Sequence, residues 1–407
     1  TPDGGKRFRL QLDGVDITGR VSVPTSGSWS EWITVKTKPI RVAAGNHVLR
    51  FQTPTGGFDL DYIAVTPAGQ PQYVRLAWFQ NPPDNGDLAT LAANFHDYIF
   101  SALNDDVRDE LRARGARGPF LQYMHSGVIH NPWSCTAEPL GNQVAYRPGD
   151  FCRISEEHPD WFLRDADGEP IADGGFYFMD PASPGWRAFW IERVREMHAG
   201  RGWDGLFLDN IDATLGRFRK IGRYPVKYRT DARWQEAVTG QLRYLAVNYF
   251  QPEDVYVVGN ITAVAEPTPW FNYLQFLDGA MEEGWGTDWN DRYYSVEQWE
   301  EHLQRVERTQ ALGKLAVLVA QGTEEDYTRE RFAFASYLLV TDGLATFRYT
   351  HKEEYGEIWL YKNYSYDLGA PKGPRYRDGS SWRRDFERGY VRVNPSTHSS
   401  EIKVLAP

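Results

Sequence analysis

The sequence predicts an α/β chain: a (β/α)8 barrel with a small N-terminal β-sandwich module before it and a β-rich tail after it. Three observations predict this. From Tyr73 onward, short apolar runs alternate with helical patterns, eight times over about 280 residues. Ahead of Tyr73 the runs are short, alternating or β-branched, and broken by turn residues. Two of the later runs also share one pattern that ends in an acid: Asp204-Gly205-Leu206-Phe207-Leu208-Asp209 and Asp278-Gly279-Ala280-Met281-Glu282-Glu283.

Residues 1–68 read as a partial sandwich. Arg7–Leu12, Trp32–Val35, His47–Gln52 and Leu60–Val65 are its strands, and Asp13-Gly14, Ser26-Gly27, Ala44-Gly45-Asn46 and Gly56-Gly57 its turns. Thr66 to Pro71 reads as a linker. The barrel domain spans 73–407. Its strands are expected at Tyr73–Phe79, Asp97–Phe100, Phe120–Met124, Gly205–Asp209, Val255–Asn260, Leu277–Glu283, Leu315–Val319 and Ala345–Arg348. Helices are expected at Asp105–Arg114, Gly185–His198, Asp231–Tyr249, Val296–Leu312 and Glu325–Val340. Pro181-Ala182-Ser183-Pro184 is the start signal of the second of these. A long insertion, His125 to Phe176, follows the third strand on the functional face. It shows no clear helix, and it carries Trp133, Trp161, Cys135 and Cys152. The tail contains two short β runs, Tyr390–Val393 and Glu401–Leu405, and reads as packed on the barrel.

Bulk composition narrows the partners. The 407 residues are 41% hydrophobic and 25% charged, with a net charge of −10. No Lys/Arg-rich run points to nucleic acid, and no apolar stretch approaches a membrane span. The chain holds 15 Trp and 23 Tyr. Their flat faces with a polar edge suit sugar rings, so carbohydrate is the expected partner, an aromatic core being the alternative. No Cys/His or His/Asp cluster has metal spacing, and no cofactor is expected. The chain opens on Thr1, which reads as processed. Two cysteines in one irregular segment read as a single disulfide, with two free thiols as the alternative, so an extracellular or cell-surface location is expected.

The paired acids carry the chemistry. Side chains alternate along a strand, so Gly205, Phe207 and Asp209 share a face, as do Gly279, Met281 and Glu283. Small residues suit a crowded barrel interior, which makes this the inward face. Glu283 is therefore preferred to Glu282, which would point outward between strand and helix or be splayed by a bulge. Acids ending the fourth and sixth strands can face one another across the barrel mouth, as glycoside hydrolysis requires. Asp209 is the expected nucleophile and Glu283 the proton donor, its pKa raised by burial and neighbouring charge. The reverse assignment of roles stays open. Asn210 and Asn260 are candidate hydrogen-bonders to sugar hydroxyls, and Trp78 and Trp285 candidate stacking faces. Tyr123 and His125 close the third strand as wall residues. Asp180 is either a substrate contact or a helix cap, Glu282 is kept as a substrate contact, and Gln321 and Arg348 rank lower.

Several stretches carry a family resemblance. Residues 158–168 (His-Pro-Asp-Trp-Phe-Leu-Arg-Asp-Ala-Asp-Gly), Phe178-Met179-Asp180-Pro181, Trp186 to Trp190, and Gly202 to Asp212 resemble hypothetical glycosyl hydrolase family fifteen. The tail's Leu368 to Pro371, Arg383 to Gly389 and Val393 to Ser396 are similar to the same group. Gly202 to Asp209 is also similar to retaining barrel families acting on α-linked glycans. The resemblance implies a barrel hydrolase with Asp209 as nucleophile and Glu283 as acid/base. Ser26 to Trp32, Ala44 to Arg50 and Gly56 to Ile63 resemble carbohydrate-binding modules of families six and thirty-five. There the resemblance implies a sugar contact near Trp29, and Asp59 stands where an Asn is expected. The reading is a secreted, retaining glycoside hydrolase acting on an α-linked glucan or related polysaccharide. The alternative is a non-catalytic glycan-binding or cell-surface structural protein on a hydrolase-derived barrel.

Overall fold

The computed structural model describes residues 6–23, 25–33, 35, 37, 47–53, 58–60, 63, 73–101, 103–262, 264, 267–289 and 292–405. The chain divides into two units, a smaller N-terminal one of Thr1–Pro71 with Pro252–Asp254 and a larger one of Gln72–Gln251 with Val255–Pro407.

The larger unit is built on eight parallel strands: Ala77–Gln80, Asp97–Ser101, Phe120–His125, Gly205–Asp212, Tyr256–Thr262, Gly279–Glu282, Leu315–Gln321 and Ala345–Thr350. Each pairs with the next in chain order. A parallel bridge from Leu76 to Phe347 closes the ring, and the Phe347 N–H donates to the Arg75 carbonyl at 2.9 Å. The strands form where β-branched and apolar residues cluster between turns. Leu315–Gln321 is buried at every position, as a strand covered on both faces must be.

Alternation sorts the side chains into two layers. Phe79, Ile99, Leu121, Phe207, Val258, Met281, Val317 and Val319 fill the interior. Leu206, Leu208, Val257 and Ala280, and on the other side Trp78, Tyr98, Phe120, Ala316 and Phe347, face the helices. Gly205 and Gly279 begin their strands where neighbouring chains press close. A Cβ at Gly205 would collide with the Tyr256 carbonyl oxygen, and one at Gly279 would sit 2.7 Å from the Leu315 carbonyl oxygen. Glycine is needed there for close approach.

The helices start where side chains can cap them. Ser183 accepts from the Trp186 N–H at the head of Pro184–His198, with Pro184 in the first turn. Ser295 and Gln298 make a reciprocal capping box for Val296–Ala311. Asp231–Leu245 runs on into a π-helical turn, Ala246–Phe250. Tyr327–Val340 is buried at every residue from Phe332 to Val340. A helix apolar all round needs cover on both sides, and the tail supplies the second. That tail is a four-stranded antiparallel sheet of Tyr376–Asp378, Ser381–Phe386, Gly389–Asn394 and Ser399–Val404, two strands more than the sequence predicted. Phe386, Val391 and Val393 join the core around Phe334 and Leu338. Arg384 donates to the carbonyls of Leu338 (3.3 Å) and Thr341 (2.7 Å) and pairs with Asp342 at 2.6 Å.

The insertion after the third strand departs from its expected lack of helix. It holds a helix, Asp150–Glu157, and a short 3-10 turn, Pro159–Trp161. A three-stranded sheet of Val128–His130, Ala172–Asp173 and Phe176–Phe178 completes it. The helix is two turns long and buries only Asp150 and Ile154, too little apolar periodicity to be read in sequence. Buried Asp150 is neutralised by Arg193 at 2.7 Å. Cys135 and Cys152 form a disulfide with Cα atoms 5.8 Å apart. Closing a 17-residue separation of this kind contributes about 3 kcal/mol in the loop-entropy account.

The N-terminal unit has four antiparallel strands among its described residues: Lys6–Leu12, Val15–Asp16, Val21–Val23 and Leu49–Gln52. Phe8 stacks on Phe51 with centroids 4.9 Å apart, and Phe58 meets Phe51 edge-on at 6.1 Å. Trp32, Ile33 and Val35 are not in a strand, and neither are Leu60 and Ile63. The remaining residues of those two expected strands, the turns at 44–46 and 56–57, and the linker lie outside the described residues.

Candidate active site

Three neighbouring strands deliver polar side chains to one end of the barrel interior. The third strand carries Tyr123 and His125, the fourth Asp209, and the fifth Asn260. Register sets Phe207 beside Tyr123 and Asp209 beside His125. Just past Asp209 the fourth strand slips register against the fifth, between Leu208 and Ile211. Asn210 takes up the slip with a left-handed φ of 56°, which Asn tolerates better than most side chains. Such bulges re-aim side chains beside functional sites. Here the Asn210 carboxamide turns back and donates to Asp209 Oδ2 at 2.6 Å. The Tyr123 hydroxyl donates to the same oxygen. Asn260 Nδ2 donates to Asp209 Oδ1 at 3.0 Å. Asp209, buried, thus accepts three hydrogen bonds.

Glu283 follows the sixth strand and keeps the inward parity of Met281. Asn260 Nδ2 donates to Glu283 Oε2 at 2.7 Å, and the Tyr355 hydroxyl donates to Oε1 at 2.9 Å. Gln321 Nε2 donates to that hydroxyl at 3.3 Å. One amide nitrogen therefore serves both acids with its two hydrogens. Asp209 Oδ1 and Glu283 Oε2 can be no farther apart than its two bonds laid end to end, about 5.7 Å.

The electrostatics follow from this enclosure. Burial, and then the negative charge of Asp209, push the Glu283 carboxyl up to about 7, against the opposing hydrogen bonds of Asn260 and Tyr355. Burial raises the Tyr123 and Tyr355 phenols, and the adjacent acids add to it, so both remain donors. Burial lowers the His125 imidazole, which keeps it neutral. Its Nδ1 lies 3.9 Å from Asp209 Oδ2. That nitrogen and Asn260 Oδ1 are buried without a hydrogen-bond partner in the protein. Unpaired buried polar atoms are uncommon, and both belong to residues that touch the acid pair.

Of the sequence candidates, Asp209, Glu283, Tyr123, His125, Asn210 and Asn260 come together, with lower-ranked Gln321 one bond behind. Four others do not. Trp78 is 0% exposed, packs edge-on against Phe95 at 5.2 Å between strand and helix, and donates to the Asn81 carbonyl. Trp285 is 1% exposed and donates to the Ala333 carbonyl. Neither indole has a free face for a sugar. Glu282 points outward, as parity requires, and pairs with buried Arg305 on Val296–Ala311 at 2.5 Å. Burial opposes its charge, but His302 and Arg305 outweigh that and hold its carboxyl below the ordinary range. Asp180 is buried and committed to Lys227 and Tyr228, each at 2.5 Å, and to the Ala182 N–H. The cap of the following helix is Ser183, so Asp180 shapes the turn ahead of it. Arg348 ties the first strand to the chain after the eighth, donating to the Phe79 and Tyr355 carbonyls.

Sequence reasoning missed Tyr355, in the irregular stretch after the eighth strand, where no period marks it. It also missed Phe176, whose ring lies 5.5 Å from that of His125. Asp212 ends the fourth strand, accepts from the Thr262 hydroxyl at 2.5 Å, and is raised by burial. The Asp-Asn-Ile-Asp run was its only signal.

The Glu282 and Glu283 environments make opposite predictions. Glu282→Ala strands a buried guanidinium and is expected to cost about 3–5 kcal/mol of stability in a denaturant melt, with little change in turnover by the folded fraction. A loss of turnover equal to that of Glu283→Ala, without a loss of stability, would reverse the assignment.

Comparison with known proteins adds the following. Residues 121–390 match the family model described as hypothetical glycosyl hydrolase family 15, and residues 1–67 match that of carbohydrate binding module (family 6). Similar solved structures include the glycoside hydrolase domain of PelA from Pseudomonas aeruginosa, at 15% identity and TM-score 0.46, covering 70% of this chain and 97% of that one. Another is the noncanonic maltogenic α-amylase AmyB from Thermotoga neapolitana, at 10% identity and TM-score 0.46, covering 80% and 86%. A third is an α-amylase from Geobacillus thermoleovorans, at 10% identity and TM-score 0.42, covering 80% and 87%. No curated protein matches the chain. Among the described residues no helix is long and apolar enough to cross a membrane.

Proposed function

We propose that this chain, which belongs to hypothetical glycosyl hydrolase family 15, hydrolyses glycosidic bonds of an α-linked glucan or related polysaccharide with retention of configuration. The shared Asn260 amide carries the reading. It limits the facing oxygens to about 5.7 Å, which fits the retaining separation of about 5–5.5 Å better than the inverting range of about 6.5–9.5 Å.

In the first step Glu283, protonated near neutral pH, gives its proton to the leaving glycosidic oxygen while Asp209 attacks the anomeric carbon. The C–O bond to the leaving sugar breaks, and an ester to Asp209 forms. Esterification removes the Asp209 charge, which is one cause of the raised Glu283 pKa. Glu283, now a carboxylate, takes a proton from water, whose oxygen attacks the anomeric carbon and frees Asp209. Asn260 stays bonded to both acids, and Tyr123 and Asn210 hold the nucleophile's other oxygen. The disulfide fits an oxidising compartment, so the enzyme acts outside the cell or at its surface, with the N-terminal module as a glycan tether.

The test is hydrolysis of a glycan panel with the first-formed anomer read by NMR. Retained configuration is expected. An inverted product sinks the two-step mechanism, and tight glycan binding with no turnover on any member would support the non-catalytic reading.

A further inference from the structure

One wall of the site continues outward as a row of rings. His125, beside Asp209, neighbours Phe176 at 5.5 Å, and Phe176 neighbours His130 at 5.2 Å. Next to His130 lies Gly175, at whose Cβ position both the His130 ring (3.8 Å) and Trp133 Cζ2 (3.6 Å) would be met. Trp133 ends the row and is 78% exposed.

A single exposed Trp is unremarkable by itself. The backbone beneath this one is not. Trp133 holds a φ of +63°, in a region where a bulky side chain is an outlier costing roughly 1–2 kcal/mol. The conformation is fixed from both sides. The Trp133 N–H donates to Asn131 Oδ1 at 2.9 Å, and two residues on Cys135 is bonded to Cys152. Nothing buries the indole in return for this strain. Strain retained by surrounding structure without a packing gain marks a functional position, and an indole face held open to water suits a sugar ring.

We propose that Trp133 is a carbohydrate-stacking platform, an outer subsite that receives a sugar ring of the same glycan some distance from the bond being cleaved. This rests on the hydrolase reading of the acid pair. It adds a substrate class, glycan chains long enough to span from the acids to the insertion, and it makes the disulfide a brace for the platform.

The experiment uses the full chain and Trp133→Gly. Glycine adopts the left-handed region freely, so the melting temperature is expected to stay the same or rise, and misfolding cannot explain a loss of function. KM for the longest members of a cleaved oligosaccharide series is expected to rise about tenfold. The kcat on a short aryl glycoside should not move. Unchanged KM on long chains, with wild-type turnover intact, overturns the platform and leaves the hydrolase reading standing. If the wild type cleaves nothing, that reading falls, and the platform is judged by binding of linear α-glucan oligosaccharides to both proteins. Equal affinity, or no binding by either, overturns it.

Discussion

Asp209→Asn is expected to lower kcat by about 10⁴-fold or more on every glycan the wild type cleaves. The carboxamide keeps the size and position of the side chain but cannot form the ester on which the proposed first step depends. Circular dichroism should show an unchanged fold, because the interior layer of Phe207, Tyr123 and Val258 around it is untouched. A second readout separates this from a general disturbance. Asp209's charge is the second-ranked cause of the raised Glu283 carboxyl. Its removal should therefore lower the Glu283 pKa, visible by NMR titration or difference infrared spectroscopy. A variant retaining more than about a tenth of wild-type kcat would remove Asp209 from the nucleophile's role.

The pH profile of Glu283 is the other large effect. A carboxyl raised to about 7 is protonated below that pH, where it can act as the acid. The kcat/KM is expected to fall about tenfold per unit above about pH 7. Glu283→Gln should lose about 10²–10⁴-fold in kcat, and its alkaline limb should disappear. An unchanged limb in that variant would place the titrating acid elsewhere. Stability carries the same sign. Between its ordinary 4.5 and about 7, Glu283 binds a proton when folded and releases it when unfolded. Its contribution is thus complete below about pH 4.5 and lost as pH rises through about 7. Glu330, buried on Tyr327–Val340 against Asn363 and likewise raised by burial to about 7, shares this window. Glu330→Gln should flatten part of the melting-temperature slope without altering kcat.

The acid pair was legible because a strand's two-residue period is strict. Counting from Gly279 put Glu283 inside and Glu282 outside, and Arg305 on the covering helix is the physical reason the outward acid is tolerated. The eight barrel strands were legible for another reason, as short apolar runs between helical patterns, within a few residues at their ends. Trp78 and Trp285 were misjudged because sequence gives a side chain's type but not its cover. Both lie in the outer layer, where an indole fills space between strand and helix. Asp180 was ambiguous for want of Lys227 and Tyr228, which come from a loop 47 and 48 residues away. Tyr355 had no period to betray it, and the helix at Asp150 was too short to show one. The tail's first two strands, rich in Arg and Asp, hide their alternation because only Ser381, Arg384 and Phe386 of Ser381–Phe386 are buried.

The order in which this pocket's residues are synthesised is fixed by the sequence. Tyr123, Asp209, Asn210 and Asn260 all precede Glu283 in the chain, so a chain emerging N-terminus first carries Asp209 and its three donors early. Glu283 comes next, but its outer partner Tyr355 lies beyond the eighth strand. That loop is moored by Arg348, which reaches from the last strand to the Phe79 carbonyl of the first, 2.9 Å away. The Tyr355 contact to Glu283 therefore depends on the closed ring.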